Sequence, residues 1–300
     1  MPAPIALFAY NRPEHLRQVL QSLAVNAEAA ATELYVFSDG ARDAASAPKV
    51  AEVRSVIAAA QGFLKIIQVL RESNLGLARS IIDGVGHVCE AHGEVIVVED
   101  DLIVSPHFLG YMNAALRLYQ HDERVVGIHG YVYPVSTALP ETFFLRGADC
   151  WGWATWQRGW KTFDADGAKL LAELERRDLA KAFDLDGAYA YTGMLRDQIS
   201  RRNDSWAIRW HASAFLADKL TLYPGRSLVE NIGADGSGTN VKATCVFAVS
   251  LADTPVTVER IPLEENAAAR AGIIDYFRAS QPTLLSRLKG RLTHFAGHRA

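Results

Sequence analysis

The fold is decided by residues 95–104, which read Val-Ile-Val-Val-Glu-Asp-Asp-Leu-Ile-Val. The apolar run predicts a buried parallel strand, and the carboxylates of Glu99, Asp100 and Asp101 end it. Adjacent carboxylates repel one another, and a divalent cation with an oxygen-rich ligand is the usual compensation. The stretch therefore indicates a site for a metal and a nucleotide. The alternative is a solvated strand end that leads into a turn, because an acidic triplet alone is a weak signal.

Strands and helices alternate in the sequence before this stretch. The pattern predicts strands at residues 4–10, 33–40 and 64–70, and helices through residues 16–23, 48–60 and 77–89. Such alternation is typical of right-handed βαβ crossovers, so we expect an α/β fold with a parallel sheet. Ligands of these sheets bind at the carboxyl ends of the strands. Five polar side chains fall at or just beyond those ends: Arg12, Asp39, Asn74, Arg79 and Asp101.

Composition excludes several classes of protein. The 300 residues are 49% hydrophobic and 22% charged, with a formal net charge of −3, so the chain lacks the general attraction to phosphate backbones and no nucleic-acid partner is expected. Its three cysteines lie far apart without metal-ligand spacing, which argues against disulfides and zinc. The N-terminus does not resemble a signal peptide, and no apolar stretch approaches the roughly 18 residues of a membrane helix. We therefore predict a cytoplasmic protein.

Aromatic residues concentrate in the middle of the chain. Four of the six tryptophans lie within residues 151–160, around a glycine. Such a cluster is either core packing or a platform for the apolar face of a sugar ring.

Two later segments have patterns of their own. Residues 231–240 are polar and glycine-rich, which suits a loop that closes over a substrate or an ordinary surface loop. Residues 284–295 alternate apolar and basic side chains at helical spacing, which suits a helix on an anionic membrane surface. That helix would place the protein at the inner face of the membrane. A partly ordered tail or a dimer helix is the alternative.

The acidic stretch also resembles a known family. Glu99-Asp100-Asp101 after Val-Ile-Val-Val, followed by Leu-Ile-Val-Ser-Pro-His-Phe, is similar to the metal-site strand of the N-acetylglucosaminyltransferase I family. In that family an EDD sequence stands where most GT-A glycosyltransferases have DxD. The resemblance covers roughly residues 4–240. It implies a GT-A fold, with a mostly parallel, Rossmann-like sheet flanked by helices and a C-terminal acceptor-side subdomain.

The resemblance assigns roles to the acidic residues. It implies that Asp101 holds a divalent ion, Mn²⁺ or Mg²⁺, and that Glu99 and Asp100 contact the donor. A cation bridged to a diphosphate needs few protein ligands, because phosphate oxygens and water fill its other positions.

Further donor-binding positions match in order. The family has an arginine directly after its first strand, where this chain has Arg12, and the guanidinium suits a diphosphate. It has an aspartate that reads uracil at the end of its second strand, where this chain has Asp39. The alternative role of Asp39 is that of a turn residue beside Gly40. The segment from Asn74 to Arg79 departs from that family and resembles the Asn-x-Gly segment of bacterial family 2 glycosyltransferases, which makes both residues donor-binding candidates.

The same family suggests a general base and acceptor contacts. Its base is the first aspartate of an Asp-Asp-Trp that follows a Gly-x-Gly-Trp motif. Here Trp151-Gly152-Trp153 is followed by Asp204-Ser205-Trp206, so Asp204 is the predicted base. Helix capping is the alternative role of Asp204, and Asp197 is the rival base. We expect three tryptophans to contact the acceptor: Trp151, Trp153 and Trp206.

These observations favour a metal-dependent inverting glycosyltransferase. It would move N-acetylglucosamine or another hexose from a UDP-sugar to a glycan or lipid-linked acceptor, as in bacterial surface polysaccharide synthesis. We expect a nucleotide-sugar-binding half at residues 1–130, an acceptor-binding and catalytic half of the same domain at 131–255, and a C-terminal helical tail at 256–300.

Two other classes remain open. A nucleotidyltransferase would usually have a glycine-rich, basic loop after its first strand, and residues 8–13 contain no glycine. A non-catalytic carbohydrate-binding protein is compatible with the tryptophans, but the intact acidic triplet argues against it.

Overall fold

The structure, a computed structural model, describes residues 1–233 and 246–280. Its strands are β1 Ile5–Ala9, β2 Glu33–Ser38, β3 Lys65–Leu70, β4 Glu94–Glu99, β5 Leu102–Val104, β6 Val125–His129, β7 Thr142–Arg146, β8 Trp153–Trp156, β9 Leu220–Pro224 and β10 Val229–Asn231. Its helices are α1 Pro13–Ala24, α2 Ala47–Ala58, α3 Leu77–His92, α4 Phe108–Tyr119, α5 Gln157–Trp160, α6 Gly167–Arg176, α7 Ala180–Phe183, α8 Tyr191–Ile199, α9 Trp206–Leu216 and α10 Ala267–Ser280.

Eight strands form one sheet, in the order β3-β2-β1-β4-β8-β6-β9-β7. The first four are parallel to one another, and β6 is parallel to β9. Strand β8 runs antiparallel to both neighbours, and β7 runs antiparallel to β9. Helices cover the sheet, so the predicted α/β class, with a mostly parallel Rossmann-like sheet of the GT-A type, is confirmed.

The central strands β1 and β4 are buried on both faces because they are apolar, whereas the edge strand β3 is partly exposed. Along β1, Ile5 and Leu7 pack into the layer that contains α1, α2 and α4, whereas Ala6 and Phe8 pack into the layer that contains α3 and α9. Successive side chains of a strand point to opposite faces, so a continuous apolar run suits a strand between two helix layers.

The acidic stretch divides into two strands. Strand β4 ends at Glu99, and Asp100 and Asp101 form the turn that follows. The resumed apolar run, β5, leaves the large sheet and pairs antiparallel with β10. The three carboxylates therefore mark the edge of the sheet, at the carboxyl ends of β1, β2 and β4.

Strands β7 and β8 are absent from the sequence-based prediction. Residues 153–156 lie in the centre of the sheet, between β4 and β6, where the sequence suggested only an aromatic cluster. Two of the tryptophans thus belong to a strand.

The C-terminal part is described as far as residue 280. Helix α10 buries Ala269, Ile273, Ile274 and Phe277. The predicted membrane-surface helix at residues 284–295 lies outside the described residues, as do residues 234–240 of the predicted loop. None of the described helices is both long and apolar enough to cross a membrane.

Candidate active site

The acid triplet, defined as Glu99, Asp100 and Asp101, meets Arg12 at the edge of the sheet. Arg12 lies between β1 and α1, and its Nη1 donates to Asp101 Oδ2 at 3.0 Å. Its Nη2 donates to Asp100 Oδ1, and the backbone N–H of Tyr10 donates to Asp100 Oδ2 at 3.2 Å. The structure thus brings together four of the residues that the sequence selected.

Negative charge exceeds positive charge at this point. Burial, followed by the charges of Asp101 and Asp100, raises the pKa of Glu99 to about 8. Burial also raises the pKa of Asp100, although Arg12 opposes that shift. Among the described residues, Arg12 bonds two of these three carboxyl groups and lies near the third, and an additional cation would relieve the repulsion among them.

The acid triplet fits a divalent cation only with help from a ligand. In residues 1–233 and 246–280, no three His, Cys, Asp or Glu side chains are grouped as a metal site. A cation at Asp101 would therefore take most of its oxygen ligands from a bound diphosphate and water, as hard cations do when they bridge phosphates. The excess negative charge and the oxygen donors suit Mn²⁺ or Mg²⁺ under that condition.

Residues 231–233, at the start of the predicted glycine-rich loop, lie against Arg12 and Asp101. The N–H of Ile232 donates to the backbone oxygen of Asp101 at 2.9 Å. At Gly233 a Cβ atom would collide with the carboxylate of Asp101 and crowd the guanidinium of Arg12. Only glycine allows the backbone to pass so closely.

Asp39 stands at the end of β2 with its side chain buried. Its Oδ2 accepts the N–H groups of Leu75 at 3.0 Å and of Gly76 at 2.9 Å, and Gly76 adopts a positive φ of +79°. Its Oδ1 is buried and has no hydrogen-bond partner in the described part of the chain. Burial raises the pKa of Asp39, and the two N–H groups oppose the shift. Asp39 thus fixes the loop after β3 and keeps one acceptor free.

Asn74 and Arg79 have contacts of their own. Asn74 Nδ2 donates to the backbone oxygen of Gly40 at 3.0 Å, which ties the loop to the end of β2. The side chain of Arg79 is 70% exposed, and its Nε lies 3.7 Å from a carboxylate oxygen of Asp83. Their roles in donor binding stay predictions.

The three candidate tryptophans differ in burial. Trp153 and Trp206 are 2% and 3% exposed, and their rings stack at 5.6 Å in the helix layer of α3 and α9. Core packing accounts for both. Trp151 is half-buried and packs edge to face on Tyr131 at 4.8 Å and on Phe247 at 5.4 Å. Of the three, only Trp151 is placed to offer part of its ring to an acceptor.

The predicted base and its rival each have an arginine partner. The side chain of Asp204 is 73% exposed and accepts from Arg209 Nη2 at 2.9 Å. The cap of α9 is Ser205, whose hydroxyl accepts a backbone N–H of the first turn. Asp197 pairs with Arg202. Within the described residues, neither aspartate has a hydrogen bond or ion pair to the acid triplet. Asp204 as the base stays a prediction.

Sequence reasoning missed a second polar cluster. The carboxylate of Asp149 lies among His129, Tyr133 and Tyr223, and we call these four residues the Asp149 cluster. Its members come from β6, β9 and two loops, so no local sequence motif contains them. The available signal was a carboxylate directly before Cys150, at the start of the tryptophan segment.

Comparison with known proteins gives one family. A family model described as "Glycosyltransferase like family 2" matches residues 3–162, which include Arg12, Asp39 and the acid triplet. A comparison with curated proteins finds no match.

Solved structures also share similarity with the chain. The crystal structure of S. aureus TarS is 15% identical, with a TM-score of 0.32, over 49% of this chain and 25% of that one. Glucosyl-3-phosphoglycerate synthase from Mycobacterium tuberculosis, solved with Mn²⁺, UDP and glucosyl-3-phosphoglycerate, is 13% identical, with a TM-score of 0.36, over 59% of this chain and 67% of that one. The chain thus spans a quarter of the length of that TarS chain.

Proposed function

The chain belongs to the glycosyltransferase-like family 2, and from that premise we propose that it is a metal-dependent, inverting glycosyltransferase. It transfers a hexose or N-acetylhexosamine, such as N-acetylglucosamine, from a UDP-sugar to a glycan or lipid-linked acceptor. One observation carries the proposal. The matched segment places Asp39, Arg12 and the acid triplet at the carboxyl ends of three adjacent parallel strands, β2, β1 and β4, where sheets of this type bind ligands.

Asp39 is the proposed contact to the base of the nucleotide. In the described part of the chain its Oδ1 is a buried acceptor without a donor, and such an atom costs about 1–3 kcal/mol until a donor arrives. The ring N–H of uracil is a donor of the required kind. Its other oxygen, Oδ2, accepts the N–H groups of Leu75 and Gly76, and these two hydrogen bonds hold the carboxylate in place.

Arg12 and the acid triplet are the proposed contacts to the diphosphate. The fork of Arg12 suits phosphate oxygens as well as it suits the two aspartates it holds in this structure. Asp101 would hold the divalent cation, while Glu99 and Asp100 would contact the donor sugar and ribose. When bound, the cation neutralises charge that grows on the leaving diphosphate.

The transfer itself needs a nucleophile and a proton acceptor. A hydroxyl of the acceptor attacks the anomeric carbon on the side opposite the nucleotide, so the configuration inverts. A carboxylate receives the proton of that hydroxyl.

The test is a panel of UDP-, GDP-, CDP- and dTDP-sugars, incubated with the protein with and without MnCl₂, with nucleotide release as the readout. We expect manganese-dependent release from a UDP-sugar. Pyrophosphate release from UTP, with no nucleotide released from any sugar, would assign the protein to the nucleotidyltransferases instead. Binding of glycans without any turnover would indicate a carbohydrate-binding protein.

A further inference from the structure

The Asp149 cluster lies at the same edge of the sheet as the acid triplet. Strand β8 runs antiparallel to β4 with Val97 opposite Trp153, so the residues just before Trp153 lie beside the end of β4 at Glu99. Strand β6 ends at His129, which is also opposite Trp153. The loop that carries Asp149 therefore connects the donor half of the site to the strands of the acceptor half.

Cys150 shows how near the two groups are. Burial raises the pKa of its thiol, and the charges of Asp149, Glu99 and Asp101 raise it further. This agrees with the strand register, which sets the residues just before Trp153 beside Glu99.

The carboxylate of Asp149 is held but not saturated. Among the described residues, Oδ1 accepts the N–H of Cys150 at 2.8 Å, and Oδ2 accepts the hydroxyls of Tyr133 at 3.3 Å and Tyr223 at 3.5 Å. The thiol of Cys150 also donates to this carboxylate. Both hydroxyl distances are long for O–H···O bonds, whose usual range ends near 3.0 Å. Oδ2 is thus able to accept a further donor.

Within the described residues, no Lys or Arg side chain forms an ion pair with this carboxylate, although Arg146 and Arg270 line the adjoining cavity. The ion-pair neighbour of the carboxylate in residues 1–233 and 246–280 is His129, whose Nε2 lies 3.9 Å from Asp149 Oδ1. That nitrogen accepts the N–H of Trp151 at 3.1 Å, and burial lowers the pKa of His129, so the imidazole is neutral. The side chain of Asp149 is only 21% exposed, and a largely buried carboxylate is normally paired. Asp204 and Asp197, by contrast, are each paired with an arginine.

There is also space for a reacting group. A cavity of about 40 Å³ adjoins Asp149 and is lined in part by Tyr133, Tyr191, His211 and Tyr223. A hydroxyl group or a water molecule fits in such a volume.

We propose that Asp149, rather than Asp204, is the general base of the transfer; this inference rests on the proposed function. The acceptor oxygen forms its bond to the anomeric carbon as the bond from that carbon to the diphosphate breaks. The bonding pair leaves with the nucleotide diphosphate, and the hydroxyl proton passes to Asp149 Oδ2. The N–H of Cys150, 2.8 Å from Oδ1, holds the carboxylate and leaves Oδ2 to receive the proton.

The test uses nucleotide release from UDP-glucose and UDP-N-acetylglucosamine with MnCl₂, with water or free N-acetylglucosamine as the acceptor. We expect Asp149→Asn to lower turnover roughly 10²–10⁴-fold and to leave UDP affinity unchanged, since a base acts only as the proton leaves. Asp149→Glu should recover part of that loss, because it restores a carboxylate. Asp275→Asn, a change at an exposed aspartate on α10, is the matched control and should behave as the parent.

The outcomes separate this inference from the proposed function. A parent protein that turns over a UDP-sugar, with Asp149→Asn equally active, overturns the role of Asp149 alone. A larger loss for Asp204→Asn than for Asp149→Asn gives the role to Asp204. A parent that releases no nucleotide from either donor, nor from any sugar of the full panel, overturns both. If Asp149→Asn does not fold, Asp149→Glu decides, since a misplaced base lowers turnover at unchanged UDP affinity.

Discussion

The guanidinium of Arg12 donates to the carboxylate of Asp101 across the ends of β1 and β4, with 3.0 Å between Nη1 and Oδ2. These are the residues we assign to the diphosphate and to the metal. In this structure the two side chains are paired with each other. A metal ion bound at Asp101 would therefore compete with the guanidinium of Arg12 for the same carboxylate oxygen. Release of Arg12 from Asp101 would make its donors available to a diphosphate. Binding of metal and binding of nucleotide should therefore favour one another.

Removal of Arg12 tests that competition. Arg12→Ala leaves Asp100 and Asp101 unpaired while largely buried, and loss of one partner of a buried pair costs about 3–5 kcal/mol. We expect a lower melting temperature, and a larger rise of that temperature on addition of MnCl₂ than in the parent. UDP should bind more weakly. Thermal unfolding with and without MnCl₂ measures the first two effects, and equal shifts in both proteins would contradict the competition.

Asp101→Asn tests the metal assignment directly. The amide removes the charge that would hold the cation and relieves repulsion within the acid triplet. We expect UDP binding to lose its dependence on MnCl₂ while the fold is kept. Calorimetric titration of UDP with MnCl₂ is the measurement. Unchanged, manganese-dependent affinity would place the cation elsewhere.

Asp39→Asn separates the two roles of that residue. Asparagine retains one oxygen to accept the N–H groups of Leu75 and Gly76, but it replaces the free acceptor by a donor. We expect UDP affinity to fall by about 1–3 kcal/mol with little change in melting temperature. Asp43→Asn, in an exposed turn, is the control. If UDP affinity is the same in parent and Asp39→Asn, Asp39 serves the loop alone.

Gly233→Ala tests the close passage of the backbone over Arg12 and Asp101. A methyl group there collides with the Asp101 carboxylate, so the pair or the segment must shift. We expect weaker binding of UDP with MnCl₂ at nearly unchanged stability. Gly193→Ala places its methyl group in ordinary contact and serves as the control. Equal UDP affinity in Gly233→Ala and Gly193→Ala would mean that residues 231–233 can shift without an effect on nucleotide binding.

Buried histidine predicts a dependence of stability on pH. His129 is fully buried, and burial lowers its pKa below 6.5. Below pH 6.5 the unfolded chain therefore binds a proton at this histidine that the folded protein does not bind. This histidine leaves the free energy of unfolding unaffected above pH 6.5 and lowers it by up to about 1.4 kcal/mol per pH unit below that value. Glu99 acts in the opposite direction, because its raised pKa of about 8 lets the folded protein hold a proton that the unfolded chain releases. The contribution of His129 is therefore the difference in slope between the parent and a variant without it. Urea unfolding between pH 7.5 and 5.5 measures the slope. His129→Gln should reduce it, whereas His121→Gln, at an exposed position, should leave it as in the parent.

The sequence determined the parallel half of the sheet. Alternating apolar runs of strand and helix length encode β1 to β4 and α1 to α3, because each element shows its own periodicity locally. The acid triplet and Asp39 were recognisable for the same reason, since each follows a strand directly and the carboxyl ends of parallel strands meet at one edge.

Tertiary structure decided what those residues contact. The ion pair between Arg12 and Asp101 joins positions 89 residues apart, and no local pattern specifies it. Trp153 lies in the core because β8 inserts antiparallel between β4 and β6, a pairing that depends on the packing of distant segments. The Asp149 cluster arises in the same way, from strand ends and loops that only the folded sheet brings side by side. Periodicity fixes the face that a side chain shows, whereas its partner depends on how the elements pack.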